Sequence, residues 1–130
     1  MLRVAIVSFL LSGAVAAPGQ SSPAPLTCPG TLKATEKEHD FERVSIFNVD
    51  KAGREYELVP DNEARTGGKI VQVWNLKEYR DMTILVRCRY HDTAVVLNSE
   101  APVSLNKCTF TFALDKKGTF IGKSDLVCRQ

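Results

Sequence analysis

Hydrophobic and polar residues alternate with a period of two along most of the chain after residue 27, which is typical of half-buried β-strands. The strongest such segment runs from Met82 to Tyr90. One of its faces carries the side chains expected in the core, namely Ile84, Val86, Cys88 and Tyr90. The opposite face carries Arg87 and Arg89. Because no segment sustains a 3.6-residue period, the pattern predicts an all-β, β-rich fold: a small antiparallel sandwich or curled sheet.

The first half of the domain has weaker signals. The predicted elements are a weak strand at Leu32 to Lys37, a hairpin of Val44 to Val49 and Arg54 to Val59 around Asp50 to Gly53, a polar loop at Pro60 to Gly68, and a strand at Lys69 to Leu76. Each boundary rests on turn residues between apolar runs. A nine-residue loop of this kind is long for a compact β-domain.

The second half predicts two further hairpins. His91 and Asp92 form a two-residue turn in which Tyr90 pairs with Thr93, so that Cys88 faces Val95. The last hairpin joins Lys107 to Leu114 with Thr119 to Cys128 through a turn at Asp115 to Gly118, where Gly118 supplies a positive φ.

The chain begins with the pattern of a cleavable export signal. Arg3 precedes the apolar run Val4 to Leu11, and Ala14-Val15-Ala16 matches a small-x-small cleavage site. The run is shorter than the roughly 20 apolar residues of a membrane-spanning helix. We therefore expect a signal peptide over residues 1–16, a disordered leader over 17–27 that is rich in Pro, Ser and Ala, and one β-rich domain over 28–130.

Four cysteines follow the predicted signal: Cys28, Cys88, Cys108 and Cys128. An even number in a short exported chain predicts two disulfides formed in an oxidising compartment. Cys108 and Cys128 share one face of the last hairpin but lie diagonally, and one bulge near Gly122 would bring them opposite. This geometry favours Cys108–Cys128 with Cys28–Cys88, while Cys88–Cys108 with Cys28–Cys128 remains open.

Charge and motif content argue against several functions. The formal net charge is +2, and +1 without Arg3, with both signs interspersed, which is atypical of a nucleic-acid or anionic-membrane binder. His39 and His91 occur in no metal-binding or catalytic motif, and His39 is expected on a charged surface. We therefore predict no catalytic residue, cofactor or metal, and no membrane insertion after signal removal.

Two features suit binding to a protein partner. Arg87 and Arg89 alternate on one strand face and form either a solvated outer face or a basic stripe for an acidic partner. The polar loop, which is either a recognition loop or a flexible connector, contributes four further candidates: Asp61, Asn62, Glu63 and Arg65. Trp74 and Tyr90 are expected to pack in the core.

A series of landmark residues spans the whole mature chain: Cys28-Pro29, Leu58-Val59-Pro60, Trp74-x-Leu76, Cys88-Arg89-Tyr90, Cys108 and Cys128-Arg129. This series resembles a family of small exported bacterial proteins first named from a Salmonella Typhi locus tag. The family that the chain resembles has no established enzymatic activity. Some small exported proteins of this kind are encoded near contact-dependent secretion systems, which implies a protective role against effectors that attack the cell envelope.

The prediction is thus a periplasmic or secreted binding protein that is not an enzyme. It would act as an inhibitor or immunity protein that occludes a cell-envelope-acting enzyme or toxin. The alternative is a structural or envelope-maintenance protein without a toxin partner.

Overall fold

The structure is a computed structural model and describes residues 24–79 and 81–130. The predicted signal peptide and the leader up to residue 23 lie outside this part of the chain. The described strands, in order, are β1 (Leu26–Thr27), β2 (Thr31–Ala34), β3 (Lys37–Val49), β4 (Glu55–Glu57), β5 (Asn62–Thr66), β6 (Lys69–Asn75), β7 (Thr83–Tyr90), β8 (Val96–Ala101), β9 (Lys107–Leu114) and β10 (Phe120–Arg129). A short 3₁₀ helix spans Lys77–Tyr79, and within the described residues no helix is long and apolar enough to cross a membrane.

These strands form two antiparallel five-stranded sheets. The first sheet has the order β1-β10-β9-β6-β5. The second sheet has the order β2-β3-β7-β8, and β4 pairs with β3. The predicted all-β, antiparallel architecture is confirmed. Both sheets alternate inward apolar and outward polar positions, as antiparallel sheets with one solvated face do.

The core lies between the two sheets. Its fully buried side chains come from both layers and include Phe41, Ile46, Val86, Cys108 and Leu126. The predicted core positions of Trp74 and Tyr90 are confirmed, since both are buried. His39 was expected on a charged surface and this expectation is wrong: it is 6% exposed, and its Nδ1 lies 2.8 Å from the carbonyl oxygen of His91. The residues on either side of His39 are charged, so that no apolar alternation in the sequence indicated its inward position in the strand.

The β3 strand is longer than its pattern suggested. The predicted strand at Leu32 to Lys37 is instead two strands that meet at a tight turn. Thr35 and Glu36 adopt positive φ values of 52° and 64°, so that Ala34 pairs with Lys37. The charged residues after this turn therefore begin β3, because backbone pairing with β2 and β7 holds them extended. The predicted hairpin around Asp50 to Gly53 is confirmed, with Phe47 opposite Glu57.

The β7–β8 register differs from the prediction. Cys88 pairs with Leu97 and not with Val95, and Val86 pairs with Ser99. The connection is longer because the His91 amide still donates to the Asp40 carbonyl of β3, at 2.8 Å. Asp92 then turns the chain with a φ of 60°. A shift by two residues preserves the facing of every side chain, which is why the alternation alone did not reveal it.

The polar segment Pro60 to Gly68 is not a loop throughout. Its centre forms β5, the edge strand of the first sheet, in which Asn62 pairs with Val73 and Thr66 with Lys69. All five side chains of β5 are exposed. No alternation marks such a strand in the sequence, because neither of its faces is buried.

Both favoured disulfides are present. Cys28 is bonded to Cys88, and Cys108 to Cys128. The first bond ties the connection between β1 and β2 to the second sheet, since Cys28 lies in that connection and Cys88 lies in β7. Leu26 and Thr27, which the predicted leader included, form β1 by pairing with Cys128 and Val127.

Candidate partner-binding surfaces

Arg87 lies on the outer face of the second sheet, as predicted. Contacts with neighbouring side chains of the same chain hold its guanidinium group in place. Its guanidinium carbon is 4.7 Å from the centroid of the Phe47 ring. Its Nε donates to Asn98 Oδ1 at 2.7 Å, and its Nη2 donates to Glu55 Oε1 at 3.0 Å. Only 18% of the side chain is exposed. Arg87 therefore covers the Phe47 ring and has few donors left for a partner.

Arg89 borders a more accessible part of the same face. Its Nε donates to Ser45 Oγ at 2.9 Å. Beside it opens a polar cleft of about 470 Å³, whose lining residues include Glu42, Arg43, Asp92 and Thr93. Two guanidinium groups and two carboxylates therefore border the cleft, which suits polar contacts with a protein surface.

The other predicted binding residues lie along β5 and at its entry. Asp61 precedes the strand, and its Oδ2 accepts a hydrogen bond from the Asn75 amide at 2.6 Å. Asn62, Glu63 and Arg65 are all exposed on the strand itself. Among the described strands β5 pairs only with β6, so that its outer backbone groups face no described strand and can pair with an extended segment of a partner.

The structure does not join the two predicted groups into one surface. Arg87 and Arg89 lie on the face of the second sheet, whereas Asp61 to Arg65 lie at the edge of the first sheet. Leu58, in the segment between β4 and β5, is held by one hydrogen bond to each sheet. The Leu58 amide donates to the Ile46 carbonyl at 2.7 Å, and Trp74 Nε1 donates to the Leu58 carbonyl at 3.0 Å.

The sequence reasoning missed the outer face of the first sheet. This face consists of the outward positions of β6, β9 and β10, and its half-buried centre comprises Val71, Val73, Thr109, Thr111 and Val127. The signal was present in the chain, because these positions alternate with the core residues Trp74, Cys108 and Cys128. Short β-branched side chains are common on solvated sheets, so that composition alone did not distinguish them.

The described residues hold few perturbed titrating groups. Hydrogen bonds lower the pKa of Asp50, chiefly the one from the Arg54 amide. Burial raises the pKa of Tyr90, whose hydroxyl donates to the Pro29 carbonyl at 2.8 Å. In the described parts of the chain all four cysteines are disulfide-bonded, and no three His, Cys, Asp or Glu side chains are grouped so that they could hold a metal ion.

Comparison with known proteins gives one match. A protein-family model, described as the Type VI secretion system Tli immunity protein, matches residues 35–129. No curated protein and no solved structure matches the chain. The matched segment contains β3 to β10 and three of the four cysteines. Since it covers well over half of the chain, the protein belongs to the Type VI secretion system Tli immunity protein family and is an immunity protein that binds a toxin-type partner.

Proposed function

We propose that this immunity protein acts in the periplasm by occlusion: it covers a surface that the toxin needs, and it performs no catalysis of its own. Membership of the immunity family carries the proposal. An inhibitor of this kind requires a rigid, complementary surface more than it requires reactive groups. The two disulfides and the antiparallel sandwich provide such rigidity.

The same features support a periplasmic location. Disulfides persist in oxidising compartments such as the periplasm, and both of these lie at buried positions of the sandwich. The predicted signal peptide over residues 1–16 supplies the route, and the predicted domain over residues 28–130, extended by β1, is the working part. We include in this proposal the resemblance to the family named from a Salmonella Typhi locus tag. That family and the matched immunity family both consist of small bacterial proteins.

The contact residues derived from the sequence remain part of the proposal. Asp61, Asn62, Glu63 and Arg65 offer a free strand edge with exposed polar side chains. Arg89 offers the margin of the polar cleft. Arg87 is the weakest of the set, because Glu55, Asn98 and Phe47 already occupy its guanidinium.

The test uses the mature protein and a toxin encoded beside its gene. Both are purified, and their complex is measured by calorimetry and by size-exclusion chromatography. A stable one-to-one complex with a sub-micromolar Kd is expected, and co-expression in the periplasm should protect cells from the toxin. Absence of binding at micromolar concentrations contradicts the proposal.

The same materials separate occlusion from catalysis. An occluding inhibitor silences its toxin in proportion to the amount added, and inhibition is complete near one equivalent. An enzyme that modifies or degrades the toxin acts at far lower ratios and leaves a mass change in the toxin. Inhibition by a small fraction of one equivalent would contradict the non-catalytic mechanism.

A further inference from the structure

The outer face of the first sheet is an open surface with an uncharged centre and a basic rim. We name its centre the Thr–Val face: Val71, Val73, Thr109, Thr111 and Val127. Direct pairing of Val71 with Thr111 and of Val73 with Thr109 places these side chains together on one side of the sheet. Their alternates Trp74 and Cys108 are buried, so the Thr–Val face points away from the core.

The Thr–Val face has the character of an interface centre. Its five residues are uncharged, short and β-branched, and each is half-buried. Within the described chain, the hydroxyls of Thr109 and Thr111 make no side-chain hydrogen bond, so both are available to a partner. Two hollows of about 330 and 340 Å³ share Thr111 and Asp125 as lining residues, and the first also reaches Gly30 and Phe41 beside the β10 bulge.

Basic side chains dominate the rim of this surface. Lys69 and Lys123 line the first hollow, and Lys107 and Arg129 line the second. Asp125 is the one carboxylate side chain among the described residues that line either hollow. Within the described residues, none of the four cations has a carboxylate oxygen within 4.0 Å.

Lys107 and Arg129 also repel each other. They are direct partners across β9 and β10, and residues at such positions have Cβ atoms roughly 5 Å apart. Like charges directly opposite destabilise a sheet. A carboxylate placed between them would remove this repulsion and accept hydrogen bonds from both side chains.

On the outer face of the second sheet, by contrast, a basic side chain is already paired with a carboxylate. There Arg87 already pairs with Glu55, so that a partner must displace an existing contact. On the Thr–Val face the cations are free of such pairs, and the apolar centre is covered by no described side chain.

We propose that the Thr–Val face and its basic rim dock an acidic surface of the toxin-type partner, with one partner carboxylate bound between Lys107 and Arg129. The inference rests on the proposed function and adds the surface and the charge of the partner. Charge complementarity between a basic rim and an acidic partner raises the association rate and fixes the orientation of the complex.

The experiment measures binding of the neighbouring-gene toxin to wild type and to the double variant Lys107→Glu/Arg129→Glu. The matched control is Lys51→Glu/Lys116→Glu, which reverses the same number of charges at two exposed turn lysines that form no ion pair with any described residue. We expect the rim variant to raise Kd by about tenfold or more, the control to change it by less than about twofold, and wild-type binding to weaken as salt rises from about 0.05 to about 0.3 M.

Two further variants guard against misfolding and test the centre. Lys107→Gln/Arg129→Gln removes the charges without adding repulsion and should give a smaller loss of affinity with an unchanged thermal melt. Thr111→Trp places bulk at the centre and should weaken binding without altering its salt dependence.

The outcomes separate the two proposals. If wild type binds the toxin and the rim variants bind equally well, the Thr–Val face is not the docking surface, while the proposed function stands. If wild type does not bind, both proposals are overturned. If sedimentation shows that the rim variants abolish self-association and leave toxin binding intact, the occupant is a second copy of this chain and the inference is overturned.

Discussion

Cys108 and Cys128 are directly opposite each other in β9 and β10, and a disulfide joins them. An unbroken hairpin register from Leu114 and Phe120 would have left them diagonal. The register shifts between Phe120 and Ser124, and Gly122 within this bulge has a φ of 74°. Three residues, Ile121 to Lys123, therefore lie opposite Ala113 alone, and this bulge around Gly122 aligns a covalent bond further along the strand.

Replacing this glycine should reveal the cost of the bulge. In Gly122→Ala the new Cβ meets no atom within 4 Å, so the penalty comes from the left-handed backbone and should be roughly 1–2 kcal/mol of unfolding free energy. Gly30→Ala is the control, because its Cβ also meets open space and its φ is not positive. Equal melting temperatures for the two variants would contradict this account.

The two disulfides should contribute unequally to stability. Cys28–Cys88 spans 60 residues and Cys108–Cys128 spans 20. Loop-closure entropy therefore predicts that removing the first pair as Cys28→Ala/Cys88→Ala costs about 1 kcal/mol more than removing the second as Cys108→Ala/Cys128→Ala. Urea unfolding of both double variants measures the difference. A larger loss from the second pair would show that native packing, and not chain entropy, sets the order.

Elements with one buried face were readable from the sequence. The strand at Lys107 to Leu114 has the predicted bounds, and the turn after it places Gly118 at a φ of 82° as expected. Alternation encodes such strands directly, since every second side chain must be apolar. The same alternation favoured the observed cysteine pairing, because it assigned Cys108 and Cys128 to one face, but it left a second pairing open.

Features that depend on backbone pairing could not be predicted from the sequence. The edge strand β5 carries no alternation, and the His91–Asp40 backbone bond that lengthens the β7–β8 connection involves no side chain. The Thr–Val face was missed for a different reason. Its rim combines residues from three strands, and only their registers show that Lys107 and Arg129 are neighbours.

Arg87 should matter for folding more than for binding. Arg87→Ala uncovers the Phe47 ring and removes the contacts with Asn98 and Glu55, and we expect a loss of about 1–2 kcal/mol of unfolding free energy. Arg43→Ala, an exposed neighbour on the same face, is the control and should change stability by less than about 0.5 kcal/mol. Thermal melts compare the two variants. If Arg87→Ala melts like wild type, the guanidinium is not a structural cover.

Tyr90 should make the protein sensitive to alkali. Burial raises the pKa of its hydroxyl in the folded state, so the unfolded chain loses this proton first. The stabilisation is complete below the unfolded pKa of about 10 and declines as pH rises through the folded pKa, with a slope of at most about 1.4 kcal/mol per pH unit. Tyr90→Phe should flatten the decline in melting temperature above pH 10, whereas Tyr56→Phe, at an exposed tyrosine, should retain it. Identical alkaline slopes in wild type and Tyr90→Phe would contradict this assignment.

Trp74 should hold the segment that leads into β5. It is the one tryptophan of the chain, it is 4% exposed, and its Nε1 donates to the Leu58 carbonyl at 3.0 Å. Trp74→Phe keeps an aromatic ring in the core but leaves that carbonyl without its donor, which should cost about 1–3 kcal/mol. The effect should be local as well as global, with faster amide hydrogen exchange at Leu58 and Asp61 than in wild type.

Tyr79→Phe, which changes a half-buried side chain at the edge of the core, is the comparison and should leave exchange at those two amides unchanged. Unaltered exchange there in Trp74→Phe would mean that the Leu58 and Asp61 amides are held by their bonds to Ile46 and Val73 alone.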